Sequence, residues 1–264
     1  MGMELDVQPV LLGPGEGETI TDLAERTVRI LLGHDLLDVT WTRYEPGARG
    51  PDPHVHRAHV DAFYVLSGEL EVGLGPNGGD LARAPAGTLA LVPPDVVHTF
   101  GNEGAETATF LNLHAPSGGF ADSLRARRDA RPVEGFDSFH PPADGGRPAS
   151  EALVSLPGQG ELLEGGVREH RIKADVPELS VIELGFSPDF EGVDPHTHSD
   201  HVDAFFVLAR DVDFTVGDEV HRAGPGIFVA AVPGARHGFR SDGAIRLLNF
   251  HAPDTGFAER LRRN

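Results

Sequence analysis

The chain has 264 residues, 39% hydrophobic and 24% charged, with no cysteine and a formal net charge of −19. That is globular composition, long enough for a core in each of one or two domains. The acidic balance disfavours nucleic acid and anionic membranes as partners. The lack of cysteine excludes disulfide scaffolds, thiolate nucleophiles, zinc ribbons and iron–sulfur clusters.

In chain order, the segment Pro14-Gly15-Glu16-Gly17-Glu18 comes first, and it is echoed by Pro157-Gly158-Gln159-Gly160-Glu161. Short strands follow: residues 63–72 with a central Gly68, residues 88–93 stopping at Pro93-Pro94, and residues 107–114. Turn signals recur about every 8–12 residues, as in a sandwich or barrel. Gly73-x-Gly75-x-x-Gly78 matches a dinucleotide fingerprint in letters only. Pro76 follows and no helix opens, so it reads as a hairpin tip. Helix is expected only after each Gly-Phe pair, over residues 120–131 and 257–263. Residues 132–150, with Pro141-Pro142 and Gly145-Gly146, read as a linker.

The chain holds 14 histidines, and ten of them fall at matched places in a tandem repeat. His54, His56, His59 and Asp61 each have a partner 142 residues on, in His196, His198, His201 and Asp203. His98 pairs with His237 at an offset of 139, and Asn112-x-His114 with Asn249-x-His251 at 137. The shrinking offset marks deletions at turns in the second copy. A period this long means two copies of one domain rather than a solenoid. The expected layout is an N-terminal domain over 1–131, a linker over 132–150 and a C-terminal domain over 151–264.

On a strand, residues i and i+2 share a face, so His54 and His56 project side by side. With His98 and Asp61 they make three imidazoles and a carboxylate, a donor set for a divalent transition metal (Fe, Mn, Ni, Co, Cu or Zn). His196, His198, Asp203 and His237 repeat the set. A lone histidine is ordinarily a surface or hydrogen-bonded core residue, but ten at matched places do not follow from composition. His34, His140, His170 and His221 are unmatched and read as surface residues.

These residues give the chain a resemblance to bicupins, in which two cupin barrels share one polypeptide. Pro53 to Gly68, with His54-x-His56, Asp61 and Gly68, resembles the first cupin motif. Gly87 to Asn102, with Pro93 and His98, resembles the second, and Gly226 to His237 repeats it. The closing Pro116 to Leu124 and Pro253 to Leu261 also fit. The departures are Asp61 and Asp203 where the family has Glu, Asp95 for a turn glycine, Arg210 for the motif glycine, and Ser241 or Asp242 for the final Asn.

The resemblance implies an all-β fold: two tandem double-stranded β-helix (jelly-roll) barrels with short C-terminal helices. It implies metal ligands His54, His56, Asp61 and His98, with His196, His198, Asp203 and His237 in the second barrel. His59 is the alternative to Asp61 as the fourth ligand, or a partner that orients one. Phe63, Phe100, Asn112, His114, Asn249 and His251 are expected at a substrate pocket, with Trp41 as a further aromatic wall. The chemistry implied is that of a quercetinase-like dioxygenase on a small aromatic or enol-type substrate, Asp61 or His59 taking the substrate proton. A metal-dependent lyase or isomerase and a non-catalytic binding module are the alternatives. The second copy departs more from the motifs, which favours the first as the active half. The expected partner is a small molecule, with possible homo-oligomer formation, in the cytoplasm, without nucleic acid or membrane.

Overall fold

The computed structural model describes residues 9–263, so residues 1–8 of the expected first domain and Asn264 lie outside it. Two compact units form: Gly17–Gln159, and Gly160–Asn264 together with the segment up to Glu16. No helix among the described residues is long and apolar enough to cross a membrane.

The N-terminal unit is an antiparallel seven-stranded sheet facing a three-stranded one. The larger sheet runs Glu18–Asp22, Arg26–His34, Leu37–Tyr44, Ala108–Ala115, Val60–Ser67, Leu89–Val92, Leu153–Ser155. The smaller runs Asp80–Pro85, Glu69–Leu74, His98–Gly101. The C-terminal unit repeats the plan with Glu161–Gly165, Arg168–Val176, Leu179–Phe186, Ile245–Ala252, Val202–Ala209, Phe228–Ala231 and Val10–Leu12, facing a four-stranded sheet. This is the expected jelly roll, twice. The helices α1 (Phe120–Arg128) and α2 (Phe257–Arg263) close the two copies where the Gly-Phe pairs place them.

The compact units depart at their edges from the expected layout. Val10–Leu12 pairs with Phe228–Ala231, and Leu153–Ser155 pairs with Leu89–Val92. Residues 132–150 are not a free linker. Val55 and Phe139 exchange backbone hydrogen bonds of 3.0 and 2.9 Å, and Arg147 N–H donates to the Asp95 carbonyl at 2.8 Å. Proline and glycine mark an irregular path, but they do not say whether its backbone finds partners in the barrel.

The expected run over residues 63–72 is two strands, Val60–Ser67 and Glu69–Leu74. Gly68 turns between them at φ 68, and a Cβ there would lie 2.4 Å from the Thr107 carbonyl oxygen. In the second copy Arg210 takes the equivalent turn at φ 68, a left-handed conformation that strains a side-chain-bearing residue. Arg210→Gly is expected to stabilise the protein by about 1 kcal/mol, read from denaturant unfolding, despite the entropy glycine adds to the unfolded chain.

Two apolar clusters fill the barrels. Phe63, Phe110, Val72 and Leu70 are among the residues at the centre of the first, and Phe214, Phe205, Val229 and Leu247 of the second. Each fully buried phenylalanine contributes roughly 2–3 kcal/mol relative to exposure. On Leu37–Tyr44 the inward residues are Thr40, Thr42 and Tyr44. Trp41 has the opposite parity and is therefore not a cavity wall. The buried Asp38 ties α1 to the sheet: its carboxylate accepts the Ala121 N–H at 2.7 Å and the His34 N–H at 3.2 Å. Burial pushes its carboxyl up to about 6.

Candidate metal centre

In the N-terminal barrel, His54 and His98 face each other across an antiparallel bridge, with backbone hydrogen bonds of 3.0 and 2.9 Å. His56 follows two residues on, on the same face. Asp61, near the start of Val60–Ser67, is the cross-strand partner of His114. The two sheets thus bring His54, His56, Asp61 and His98 together, one ligand atom from each lying within 4.8 Å of the others. His196, His198, Asp203 and His237 meet in the same way in the second barrel.

The tautomers follow from the backbone. His54 Nδ1 meets the Asp52 carbonyl at 3.0 Å, His56 Nδ1 the Asp137 carbonyl at 2.5 Å, and His98 Nδ1 the Val96 carbonyl at 3.1 Å. A carbonyl only accepts, so each Nδ1 carries a proton and each ring turns its Nε2 inward. His98 Nε2 then lies 3.1 Å, and His56 Nε2 3.7 Å, from Asp61 Oδ2. His56 Nε2 is buried without a hydrogen-bond partner. Burial, together with the neighbouring His98 and His56, pulls the His54 pKa down to about 3, so this ring stays neutral. Burial opposes ionisation of Asp61, but His114, His56 and His98, where they carry a proton toward it, outweigh burial and hold its pKa well below the usual range. Without such protons, acceptors face an acceptor in a dry site. One proton on His98 relieves one contact. A divalent cation satisfies all four groups at once, so the donor set fits a metal ion.

The second centre shares this logic and is looser. His237 Nδ1 donates to the Ala235 carbonyl and its Nε2 lies 3.1 Å from Asp203 Oδ2. His196 Nδ1 donates to the Asp194 carbonyl at 2.8 Å. The His198 side chain is 21% exposed where that of His56 is 2% exposed.

His59 lies outside the four-residue group. Its Nδ1 donates to Asp137 Oδ2 at 2.8 Å and its Nε2 meets His114 Nδ1 at 2.8 Å. Burial, with His56 nearby, lowers the His59 pKa to about 4, so the ring is neutral. Its Nε2 must then accept from His114 Nδ1–H, which leaves His114 Nε2 unprotonated. That atom lies 3.5 Å from Asp61 Oδ1 and 3.3 Å from Asn112 Oδ1. Gly118 makes room for this arrangement, since a Cβ there would sit 2.4 Å from His59 Nδ1. Asp137 also accepts the Arg57 and Ala58 backbone N–H groups, at 3.1 and 2.7 Å. In the second copy the carboxylate on the matching nitrogen is that of Asp200, 2.8 Å from His201 Nδ1, and it is 67% exposed where Asp137 is 15%. Thr255 replaces Gly118, with its hydroxyl 3.5 Å from His201 Nδ1, and His201 Nε2 and His251 Nδ1 are both buried without partners.

Above the first centre opens a cavity of about 400 Å³, lined by His54, Asp61, Phe100, Asn112, His114 and Phe136 among others. Phe63 is fully buried beneath it, packed 4.7 Å from Phe100 between ring centroids. His59 does not reach the cavity and acts on it through His114. A second cavity of about 330 Å³ opens above the other centre, with Asn249 and His251 among its lining residues. Sequence reading missed Asp137 and Phe136 because they lie in a segment without a counterpart in the repeat. It also took His170 for a surface residue. His170 is 4% exposed and lines the second cavity, on the inward face of a strand whose equivalent in the first copy carries Val28.

The sequence matches the cupin domain over residues 40–114 and 185–251. No curated protein matches it. Among solved structures, protein Ylba from E. coli aligns with TM-score 0.68 at 12% identity, covering 94% of this chain and 93% of that one. A putative glyoxylate-induced protein from Pseudomonas aeruginosa gives 0.66 at 16%, covering 95% and 90%. Oxalate decarboxylase from Lactobacillus farciminis, in a formate complex, gives 0.62 at 11%, covering 93% and 86%. At these identities the likeness is one of fold. With both matched segments centred on a His/Asp cluster in a jelly-roll barrel, the chain belongs to the cupin domain family, with the domain present twice.

Proposed function

We propose that the protein is a metal-dependent enzyme whose N-terminal barrel carries out dioxygen-dependent cleavage of a small enol-type or aromatic substrate. His54, His56, Asp61 and His98 hold the metal. The observation that carries this reading is the buried cluster of three imidazole Nε2 atoms and a carboxylate, with His114 beside it, at the floor of a cavity with aromatic walls. The metal, when bound, supplies Lewis acidity and a route for electrons to dioxygen.

The chain's own residues do the rest. Phe100, Phe136 and Tyr44 exclude water and bracket a planar substrate. Arg26, half-buried opposite Tyr44 on the neighbouring strand, offers positive charge to a substrate anion. His114 Nε2 takes the enol proton, and His59 and Asp137 hold that imidazole in the accepting tautomer. Asp61 serves as ligand, and Asn112, whose amide donates to Asp61 Oδ1, keeps the carboxylate in place.

Oxygen consumption by iron-, manganese- and nickel-loaded protein, screened against flavonol-like and β-diketone compounds, tests this. Stoichiometric oxygen uptake with substrate loss, abolished anaerobically, is the expected result. Turnover indifferent to oxygen would move the protein to the lyases or isomerases, and saturable binding without product would make it a binding module.

A further inference from the structure

The two cavities have diverged at matched wall positions. Thr42 and Tyr44 line the first, and Leu184 and Phe186 stand 142 residues on in the second. Phe190 stands where the first copy has Ala48, and it stacks on Phe186 with ring centroids 3.9 Å apart. Phe239 adds a third ring 5.6 Å from Phe186. Hydroxyls have been exchanged for hydrocarbon and aromatic surface.

One change runs the other way. Val28 of the first copy is His170 in the second, 4% exposed, with Nδ1 lacking any hydrogen-bond partner. Its ring lies edge-on to Phe186 at 5.0 Å. A buried imidazole nitrogen with no partner costs about 1–3 kcal/mol unless something bonds to it. The ring itself forms part of the wall of the second cavity. At the rim, Arg168 holds its guanidinium 5.9 Å from the Phe190 ring centroid and makes no ion pair among the described residues. Apolar walls with a few convergent polar groups are the usual make-up of a small-molecule site.

We propose that the C-terminal cavity is a binding site for a small aromatic carboxylate, its ring between Phe186, Phe190 and Phe239 and its carboxylate directed by His170 and Arg168. The site is separate from the one proposed for the N-terminal barrel and needs no reaction there. It gives the second barrel a ligand of lower polarity than the first.

Fluorine NMR of 4-fluorobenzoate with the full chain, zinc-loaded and chelator-treated, tests it. Zinc keeps the metal sites redox-silent. One equivalent of probe is expected to bind saturably, and Arg168→Gln and His170→Leu are each expected to weaken it about tenfold. Leu184→Thr should weaken it too, while Arg83→Gln, exposed on the other barrel and lining neither cavity, should leave it unchanged. Thermal unfolding of each variant separates lost binding from lost folding, and Arg168, exposed at the rim, is safe to change. The proposal falls if the wild type shows no saturable binding, if Arg83→Gln weakens the probe as much as Arg168→Gln does, or if 2,2-difluorosuccinate binds as well. Binding that needs zinc and ignores both His170→Leu and Arg168→Gln would also overturn it, since the metal alone would then hold the probe. Failure of zinc to bind at all bears on the metal reading and leaves this one standing.

Discussion

Full-length protein is expected to take up two equivalents of a divalent transition metal, with His56→Ala losing the one in the N-terminal barrel and His198→Ala the other. The cost to stability should grow with metal. In metal-free protein, His56→Ala removes a buried nitrogen that has no partner, but also a packed ring and its bond to the Asp137 carbonyl, so it costs about 2–4 kcal/mol. In metal-loaded protein the same change also abolishes a linkage term, about 4 kcal/mol when free metal stands at a thousand times its dissociation constant. Plasma mass spectrometry gives the stoichiometry, and unfolding with and without chelator gives the added cost. A variant that destabilises equally in both states would show that His56 is only a packing residue. One equivalent of metal in the wild type, lost in a single variant, would leave the other barrel as scaffold.

Much of this centre was legible because the repeat printed it twice. His-x-His on a strand, a histidine on a remote strand and an aspartate at a fixed distance recur in both copies. The period-two geometry of a strand then puts the first pair on one face. The barrel followed from short strands between glycine and proline turns, and even the substituted motif glycine proved informative, since Arg210 keeps the left-handed turn that Gly68 makes. The illegible parts are those the repeat cannot report. Asp137 lies in a stretch whose composition says linker, and no second copy exists for comparison. Its role depends on where the backbone of residues 136–139 docks, a tertiary fact. His170 was misread because an unmatched histidine looks incidental in a list, whereas its inward parity beside Leu184 and Phe186 buries it. The polarity of the two cavities was likewise hidden until cross-strand register placed Thr42 and Leu184 at the same point of the wall.

The largest catalytic effect is expected from Asp137→Ala, which removes the acceptor at the head of a chain of protons. In the native arrangement Asp137 accepts from His59 Nδ1, His59 Nε2 accepts from His114 Nδ1, and His114 Nε2 is left as the free base. Without the carboxylate nothing holds the His59 proton on Nδ1, and it moves to Nε2. His114 Nδ1 in turn accepts, and His114 Nε2 carries a proton that Asn112 Oδ1, 3.3 Å away, accepts. The drop in kcat at saturating metal is expected to be about 100- to 10,000-fold, the range for loss of a positioned base or inversion of its tautomer. Metal in the N-terminal barrel is expected to weaken about 10- to 100-fold as well, since the loop carrying His56 to His59 loses two backbone anchors. Asp137→Asn is the control. A single oxygen, Oδ2, accepts from His59 Nδ1 and from the Arg57 and Ala58 backbone N–H groups, so an Asn carbonyl in its place keeps all three bonds and the native tautomer. Metal binding and kcat should then stay near wild type. Long-range nitrogen–proton NMR of the histidine rings gives the readout that does not depend on activity: His114 should exchange its Nε2 lone pair for a proton in Asp137→Ala and keep it in Asp137→Asn. If His114 keeps the native tautomer in Asp137→Ala while kcat still collapses, the chain from Asp137 through His59 does not set the base, and His114 is held by Asn112 and Asp61 alone.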